Sequence, residues 1–396
     1  MRAIVVAPGQ RLAYGALAER RPVELMPLAD RPVIQHVVEL LVERGFDQFD
    51  FVLSHLPEQL EEFLGDGTRW GARFRYHLAS NPERPYAPLA ALDGGAVDGP
   101  VYLAHADCLP ALGDTALAPP AGLEGIHPVC WRGAETGELR WTGWAWVEGA
   151  ALRGVPASRE DLDRVVLGGA RAAASLLDSE PAQLLSPAAH LESQARLLAG
   201  ELSPFAVRGR QQEPGIWVGR SCVIHPSAQL TAPVYLGDRT RVGQEARIGP
   251  ATVVCSECVV DARSTAEDTL ILPGGYVGEL LELQHAIVDH ALLVNTRLDT
   301  SVTVPDEFIL GSLSPGAGPA RRPALLDRGL ALVMLALTWP LSLAAVVVLG
   351  AFRRGQVRRD TVVRLPCEGD ARRWRTFRLL RLSDAEVGPR HRGVTC

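Results

Sequence analysis

Apolar residues recur every six positions in the centre of the chain, between residues 218 and 260. The aliphatic anchors of this repeat are Val218, Ile224, Leu230, Leu236, Val242, Ile248, Val254 and Val260. The fourth residue after each anchor is small or β-branched: Cys222, Ala228, Val234, Thr240, Ala246, Thr252, Cys258 and Ser264. A period of six is neither that of an α-helix nor that of a flat strand. It predicts a coil of short strands separated by corners, the pattern of a hexapeptide β-helix.

Glycine follows several anchors, at corners where we expect an unusual backbone conformation. These glycines are Gly219, Gly237, Gly243 and Gly249. A rigid coil of this kind serves as a spacer and as a platform for a homo-oligomer, for example a trimer. His225, His285 and His290 leave a second interpretation open, an acyltransferase that uses a histidine as general base.

The N-terminal part of the chain alternates short apolar strands with amphipathic helices. Strands are predicted over residues 2–7, 49–53, 73–77 and 101–104, and helices over 33–41 and 57–64. Asp30 is expected to cap the first long helix, with Pro32 in its first turn. The alternation predicts a mostly parallel sheet covered by helices on both faces. Ligands of such sheets bind at the carboxyl ends of the strands, where Asp107 follows the strand 101–104.

A long apolar run lies in the C-terminal part of the chain. Residues 329–352 carry no charge, and the run is long enough to span the hydrocarbon core of a bilayer. Arginines flank both ends of the run: Arg321, Arg322, Arg328, Arg353, Arg354, Arg358 and Arg359. Because the positive-inside rule cannot orient a span with arginines at both ends, we favour a re-entrant hairpin broken at Pro340 over a full span.

Charge is divided unevenly along the chain. Residues 1–319 carry a formal charge of -15 and residues 320–396 carry +9, and every basic residue is arginine. A basic tail beside an apolar run favours anionic membrane lipid over nucleic acid as the partner. The scattered cysteines and the N-terminal sequence predict a reducing cytoplasm. Cys255 and Cys258 resemble half of a zinc site, but no second pair accompanies them.

Residues 1–310 resemble a sugar-phosphate nucleotidyltransferase joined to a left-handed β-helix. Residues 27–34 resemble the segment that opens that family's first long helix, and residues 65–71 and 82–85 resemble its next landmarks. The resemblance implies a Rossmann-like α/β domain. It also implies a nucleoside triphosphate or nucleotide-sugar and a sugar-1-phosphate as ligands.

The resemblance assigns candidate site residues. Asp107 and Asp178 match two metal-binding aspartates, which implies Mg²⁺. The second aspartate precedes the family's closing helix, here around residues 188–198. Gly9 and Arg11 match its phosphate loop, where Arg11 would supply catalytic charge, and Ala87 matches a nucleoside or sugar contact.

Several positions depart from what nucleotidyl transfer needs. The phosphate loop is reduced to Ala-Pro-Gly-Gln-Arg over residues 7–11, and Pro8 removes an amide donor. Val23 replaces the family's lysine, and Ala87-Pro88 replaces its Gly-Thr. Arginine does not simply replace lysine, because its planar guanidinium has a different shape and hydration. These changes predict a degenerate transferase site.

The tail resembles the start of the monotopic phosphoglycosyl transferases, which begin surface-polysaccharide synthesis. Asp327-Arg328 opens the apolar segment as in that family, and residues 374–378 resemble the stretch beyond it. Asp384 and Glu386 do not match the family's catalytic pair. The tail is therefore expected to be an anchor without the catalytic part, either a broken transferase or an arginine-rich segment held to anionic lipid.

These expectations combine into three domains: a nucleotidyltransferase-like α/β domain over residues 1–204, a left-handed β-helix over 205–312, and a membrane-associated tail over 313–396. They imply a protein of bacterial surface-polysaccharide biosynthesis at the cytoplasmic face of the inner membrane. Two main functions stay open: nucleotidyl transfer with Mg²⁺, and a non-catalytic scaffold that binds a nucleotide-sugar.

Overall fold

The computed structural model describes residues 1–9, 11–91, 99–133, 137–170 and 174–313, together with two strands of the tail. The chain divides into two compact units, residues 1–317 and residues 318–396. The expected boundary near residue 204 falls inside the first unit, and the division into three domains stays a prediction.

A seven-stranded sheet forms the N-terminal part. Its strands β1 to β7 are Arg2–Ala7, Gln48–Leu53, Arg73–Leu78, Pro100–His105, Ile126–Arg132, Leu139–Glu148 and Ser175–Leu176. Their order is β7-β5-β6-β4-β1-β2-β3. Strands β4, β1, β2 and β3 are parallel, whereas β6 runs antiparallel to both β4 and β5. The expected mostly parallel sheet is thus present, with an antiparallel insertion beside β4.

The helices of this part are α1 to α6: Arg11–Tyr14, Ala16–Arg20, Val33–Glu43, Pro57–Leu64, Arg159–Ala170 and Pro187–Leu198. Short 3-10 helices cover Val23–Leu25, Thr68–Trp70, Ala87–Ala91, Asp114–Leu117 and Gly149–Gly154. The predicted helices around residues 33–41 and 57–64, and the closing helix around 188–198, are confirmed.

The expectation that Asp30 caps α3 is wrong. The helix begins at Val33 directly after Pro32, and no side chain accepts a hydrogen bond from its first turn. Asp30 instead accepts a hydrogen bond from the Arg208 backbone amide at 3.0 Å and lies 3.6 Å from the Arg31 guanidinium. The Asp30 carboxylate therefore bonds to a residue far away in sequence instead of capping the neighbouring helix.

The hexad repeat forms a coiled segment, which we define as residues 216–289. Its strands are Ile216–Val218, Val223–Ile224, Gln229–Leu230, Val234–Leu236, Arg241–Val242, Arg247–Ile248, Thr252–Val254, Val259–Val260, Thr265–Ile271, Gly275–Val277 and Glu282–Asp289. Each of the first strands pairs in parallel with the third strand after it in sequence: Ile216 faces Val234, and Val234 faces Thr252. Antiparallel strands at Arg210–Glu213, Leu292–Asn295, Thr300–Thr303 and Leu310–Ser312 flank the segment.

Hydroxyl and thiol groups of the small-residue column bond to carbonyls of neighbouring turns of the chain. The Thr240 hydroxyl donates to the Gly237 and Cys255 carbonyls at 2.7 and 3.1 Å, and the Ser264 hydroxyl donates to the Gly278 carbonyl at 2.6 Å. The Cys258 thiol lies 3.1 Å from the Leu272 carbonyl oxygen. This column therefore satisfies backbone groups that the corners leave without a strand partner.

The glycines after the anchors are explained mainly by close backbone approach. A Cβ atom on Gly237 would lie 2.4 Å from the Ser256 nitrogen, although Gly237 has no positive φ. Left-handed corners fall instead on residues with side chains, for example Ser221, Arg239 and Glu257. The expectation of an unusual corner backbone holds only for Gly249, whose φ is +101°.

The sheet and the coiled segment share one hydrophobic core. A continuous cluster of buried side chains runs from β1 and α3 to the anchors of the repeat. Gln194 of α6 donates to the Ala251 carbonyl at 3.2 Å, and Arg20 lies 3.6 Å from Asp289 at the end of the coiled segment. The coiled segment is therefore joined to the α/β part through the shared core, α6 and Arg20.

The described part of the tail is a pair of antiparallel strands, Gln356–Arg364 and Arg375–Ser383. No helix among the described residues is both long enough and apolar enough to cross a membrane. The apolar run at 329–352 lies outside the described residues, so the re-entrant hairpin stays a prediction.

Candidate functional site

The predicted phosphate loop leaves the end of β1, an inner strand of the parallel group. Pro8 is buried, and Gly9 is partly buried with a φ of +64°. A Cβ atom on Gly9 would lie 2.7 Å from the His55 Cβ atom, so only glycine fits here. Gln10 lies outside the described residues, as does the side chain of Arg11, whose backbone begins α1.

A carboxylate accepts a hydrogen bond from a backbone amide of this loop. The Gly9 backbone N–H donates to Oε1 of Glu24 over 3.1 Å. The Glu24 side chain is buried, and no described residue bonds to its other oxygen. Burial raises the pKa of Glu24 to about 7, with the negative charge of Asp107 adding to the effect against the Gly9 amide.

Val23 occupies the position of the family's lysine and belongs to the hydrophobic core. Its side chain is 1% exposed. The structure therefore places an uncharged, buried group where the resemblance implies a cation for phosphate.

Asp107 lies just beyond the end of β4 and is 2% exposed. Its Oδ2 accepts a hydrogen bond from Arg159 Nη1 over 3.1 Å, and its Oδ1 lies 3.6 Å from His105 Nδ1. The turn is held by the Trp144 indole, which donates to the carbonyls of His105 and Cys108 at 3.2 and 3.0 Å. Asp107 is thus a fixed, buried carboxylate whose charge is balanced by a guanidinium.

Tyr86 and His105 form a buried pair under this turn. The Tyr86 hydroxyl lies 2.6 Å from His105 Nε2, and the two rings are stacked with centroids 5.6 Å apart. Burial lowers the pKa of His105. Ala87, the predicted nucleoside or sugar contact, follows Tyr86 and is exposed at the start of a 3-10 turn. Tyr86 therefore fixes the segment that carries Ala87 to the Asp107 turn.

A second buried polar pair lies behind the loop. The Tyr14 hydroxyl donates to the Leu184 carbonyl at 3.3 Å and lies 3.5 Å from His190 Nδ1. The Leu184 amide in turn donates to the Asp107 carbonyl at 2.8 Å. Burial lowers the pKa of His190 to about 4, so this histidine is neutral at neutral pH. These contacts connect α1, α6 and the Asp107 turn.

Asp178 differs from Asp107 in its surroundings. It is exposed in a bend after β7, whereas Asp107 is buried and already paired with Arg159. The described residues contain no group of three or more histidine, cysteine, aspartate or glutamate side chains that could hold a metal ion. The metal site at Asp107 and Asp178 therefore stays a prediction.

The coiled segment carries the other candidate groups. Cys255 and Cys258 are both buried, and burial raises the pKa of each thiol, which disfavours the thiolate that zinc needs. His225 Nδ1 bonds to its neighbour Ser227 at 2.8 Å. His285 Nδ1 lies 2.6 Å from Asp268 Oδ2, a carboxylate partner that the sequence pattern did not indicate. Acyl transfer at these histidines stays a prediction.

Comparison with characterised proteins finds partial relatives. UTP–glucose-1-phosphate uridylyltransferase of Synechocystis sp. is 32% identical over 81 residues, covering 20% of this chain and 21% of that protein. The low-salt glycan biosynthesis nucleotidyltransferase of Haloferax volcanii is 29% identical over 83 residues, covering 21% and 23%. The CMP-5′-(3-aminopropyl)phosphonate synthase of Streptomyces rubellomurinus is 33% identical over 82 residues, covering 21% and 13%.

These matches span about a fifth of the first two relatives' length. No family model matches the chain. The chain contains a nucleotidyltransferase-like region. The β-sheet and helices described above fit an α/β domain of that kind.

Sequence reasoning missed two residues of the candidate site, Glu24 and Arg159. Glu24 is an isolated acid inside the apolar run 23–28, a pattern that points to a buried carboxylate. Arg159 lies 52 residues from Asp107 in sequence, and no local pattern connects them.

We predict that Arg159→Ala destabilises the fold by about 2 kcal/mol, because it removes the guanidinium that is hydrogen-bonded to the buried Asp107. Arg164→Ala is the matched control on the same helix, since Arg164 and its partner Asp161 are both exposed. It should change stability by less than about 0.5 kcal/mol. Urea unfolding of both variants measures the difference, and equal stability of the two would contradict the role assigned to Arg159.

Proposed function

We propose that the α/β part binds a nucleotide-sugar or a related nucleoside phosphate at the carboxyl ends of β1 and β4, and that it does not carry out nucleotidyl transfer. The observation that carries this proposal is the burial of Asp107 against Arg159. A guanidinium hydrogen-bonded at 3.1 Å supplies positive charge to this carboxylate from the chain itself.

Charge supports binding without transfer. Attack on an α-phosphorus builds negative charge, which a transferase stabilises with cations and amides, and losing one such group costs roughly 10²–10³ in rate. Here Val23 is buried and uncharged, and Pro8 has no backbone N–H to donate. The Gly9 N–H already donates a hydrogen bond to Glu24. The fold and the partial relatives favour a ligand of the nucleotide-sugar class.

We further propose that the coiled segment is the left-handed β-helix expected from the hexads. The parallel pairing of each short strand with the third strand after it, which makes three strands to a turn, supports this interpretation. Its function would be to hold the α/β part rigidly and to offer a surface for a homo-oligomer, with a trimer as the first candidate.

The tail completes the proposal as an attachment to the cytoplasmic face of the inner membrane. The uncharged run at 329–352, its flanking arginines and the resemblance to phosphoglycosyl transferase anchors support anionic lipid as the partner. The protein would then present a nucleotide-sugar-binding domain beside the lipid-linked step of surface-polysaccharide synthesis.

Calorimetry of the full-length protein in detergent tests the binding function. We expect nucleotide-sugars to bind equally well with Mg²⁺ and with EDTA, because Asp107 is neutralised by Arg159 rather than by a metal. Nucleoside triphosphate, sugar-1-phosphate and Mg²⁺ together should release no pyrophosphate, with an active uridylyltransferase as the positive control. Pyrophosphate release that Asp178→Asn abolishes would contradict the proposal. It would support Mg²⁺ binding by Asp107 and Asp178 instead.

Cysteine labelling tests the re-entrant tail. In inside-out membrane vesicles that expose the α/β part, a membrane-impermeant maleimide should label Cys396 equally with and without detergent. A Cys222→Ser, Cys367→Ser background reduces competing signal, since Cys108, Cys130, Cys255 and Cys258 are buried. Cys396→Ser in that background is the control. Labelling that requires detergent would show a full span instead.

A further inference from the structure

A carboxylate oxygen of Glu24 accepts the hydrogen bond of the loop amide, as an oxygen of a bound phosphate would. Its Oε1 accepts the Gly9 N–H at 3.1 Å, two residues after the end of β1. Backbone amides of loops with a positive-φ glycine are common anion-binding groups. The chain therefore supplies an anion of its own at this amide.

A purely structural reason for this carboxylate is weak. Glu24 is 1% exposed in the same run as the buried residues Val23 and Met26, so its carboxylate has lost its hydration, for which the one Gly9 hydrogen bond compensates only in part. Its Oε2 is buried and has no hydrogen-bond partner among the described residues. A buried carboxylate with one unsatisfied oxygen carries a free-energy cost, which calls for a specific explanation.

The electrostatic setting makes Glu24 a selective group. The negative charge of Asp107 acts on Glu24, while the Arg159 guanidinium is hydrogen-bonded to Asp107. A polyphosphate placed on the Gly9 amide would meet the Glu24 carboxylate at the same donor. A ligand with fewer charges at that point would meet less repulsion.

We propose that Glu24 is a specificity-determining residue that excludes the triphosphate from the loop and leaves ligands with less phosphate charge as the ones this domain binds. The inference rests on the proposed nucleotide-binding function of the same site. It concerns the ligand class, because it predicts weaker binding of nucleoside triphosphates than of nucleoside monophosphates and unphosphorylated nucleosides.

The test compares uridine, UMP, a UDP-sugar and UTP by calorimetry without metal, in the wild type and in two Glu24 variants. Glu24→Gln removes the charge and keeps the shape, and Glu24→Ala also frees the Gly9 amide. We expect UTP affinity to rise about tenfold in Glu24→Gln and further in Glu24→Ala, with little change for uridine. Glu58→Gln, an exposed glutamate of α4, is the matched control and should change nothing.

Thermal unfolding establishes that each variant is folded, and the isosteric Glu24→Gln carries the test if Glu24→Ala does not fold. If the wild type binds these ligands and folded Glu24 variants keep the same order of affinities, the inference is overturned and the binding function stands. If the wild type binds none of them but a Glu24 variant binds UTP, the inference stands and the wild-type binding function fails. Absence of binding by every folded protein overturns both.

Discussion

The burial of two carboxylates at one end of the main sheet is the constraint on which this site depends. Glu24 and Asp107 are each no more than 2% exposed, and each is compensated by a group of the chain itself. The Gly9 amide bonds to Glu24 and the Arg159 guanidinium bonds to Asp107. Because burying an uncompensated charge is costly, these two contacts limit what else the loop and the turn can hold.

The rest of the α/β part positions these contacts. Trp144 fixes the turn after β4, and Tyr86 packs on His105 beneath it. The Leu184 amide ties the segment before α6 to the Asp107 carbonyl. The coiled segment shares the hydrophobic core and bonds to α6, so it stabilises the same region. The site is therefore rigid in its described part, and its chemistry is decided by which side chains the framework carries.

The sequence predicted much of this framework because local patterns carry it. The six-residue period places one aliphatic anchor in each short strand from Val218 to Val260, and the alternation of β1, α3, β2 and α4 follows from apolar spacing. The place of Asp107 after a parallel strand followed from the same reasoning. The need for glycine at position 237 could not be predicted in this way, because it depends on how closely the Ser256 backbone approaches from the next turn of the coil.

The charge compensation could not be predicted from the sequence, because it joins residues far apart in the chain. Asp30 looked like a helix cap but is bonded to the Arg208 amide, and the partner of Asp107, Arg159, lies 52 residues away in the chain. Local propensity identifies a residue able to make a contact. Tertiary packing then decides which of the available partners it meets.

Carbon NMR of the Glu24 carboxyl group across pH, with the Gly9 amide followed in the same samples, tests the central claim most directly. A carboxylate buried on the loop amide should titrate near its raised pKa of about 7, and the Gly9 amide shift should report the same midpoint. A midpoint near the ordinary value of 4.5, with no response at Gly9, would show a solvated Glu24 and contradict the account.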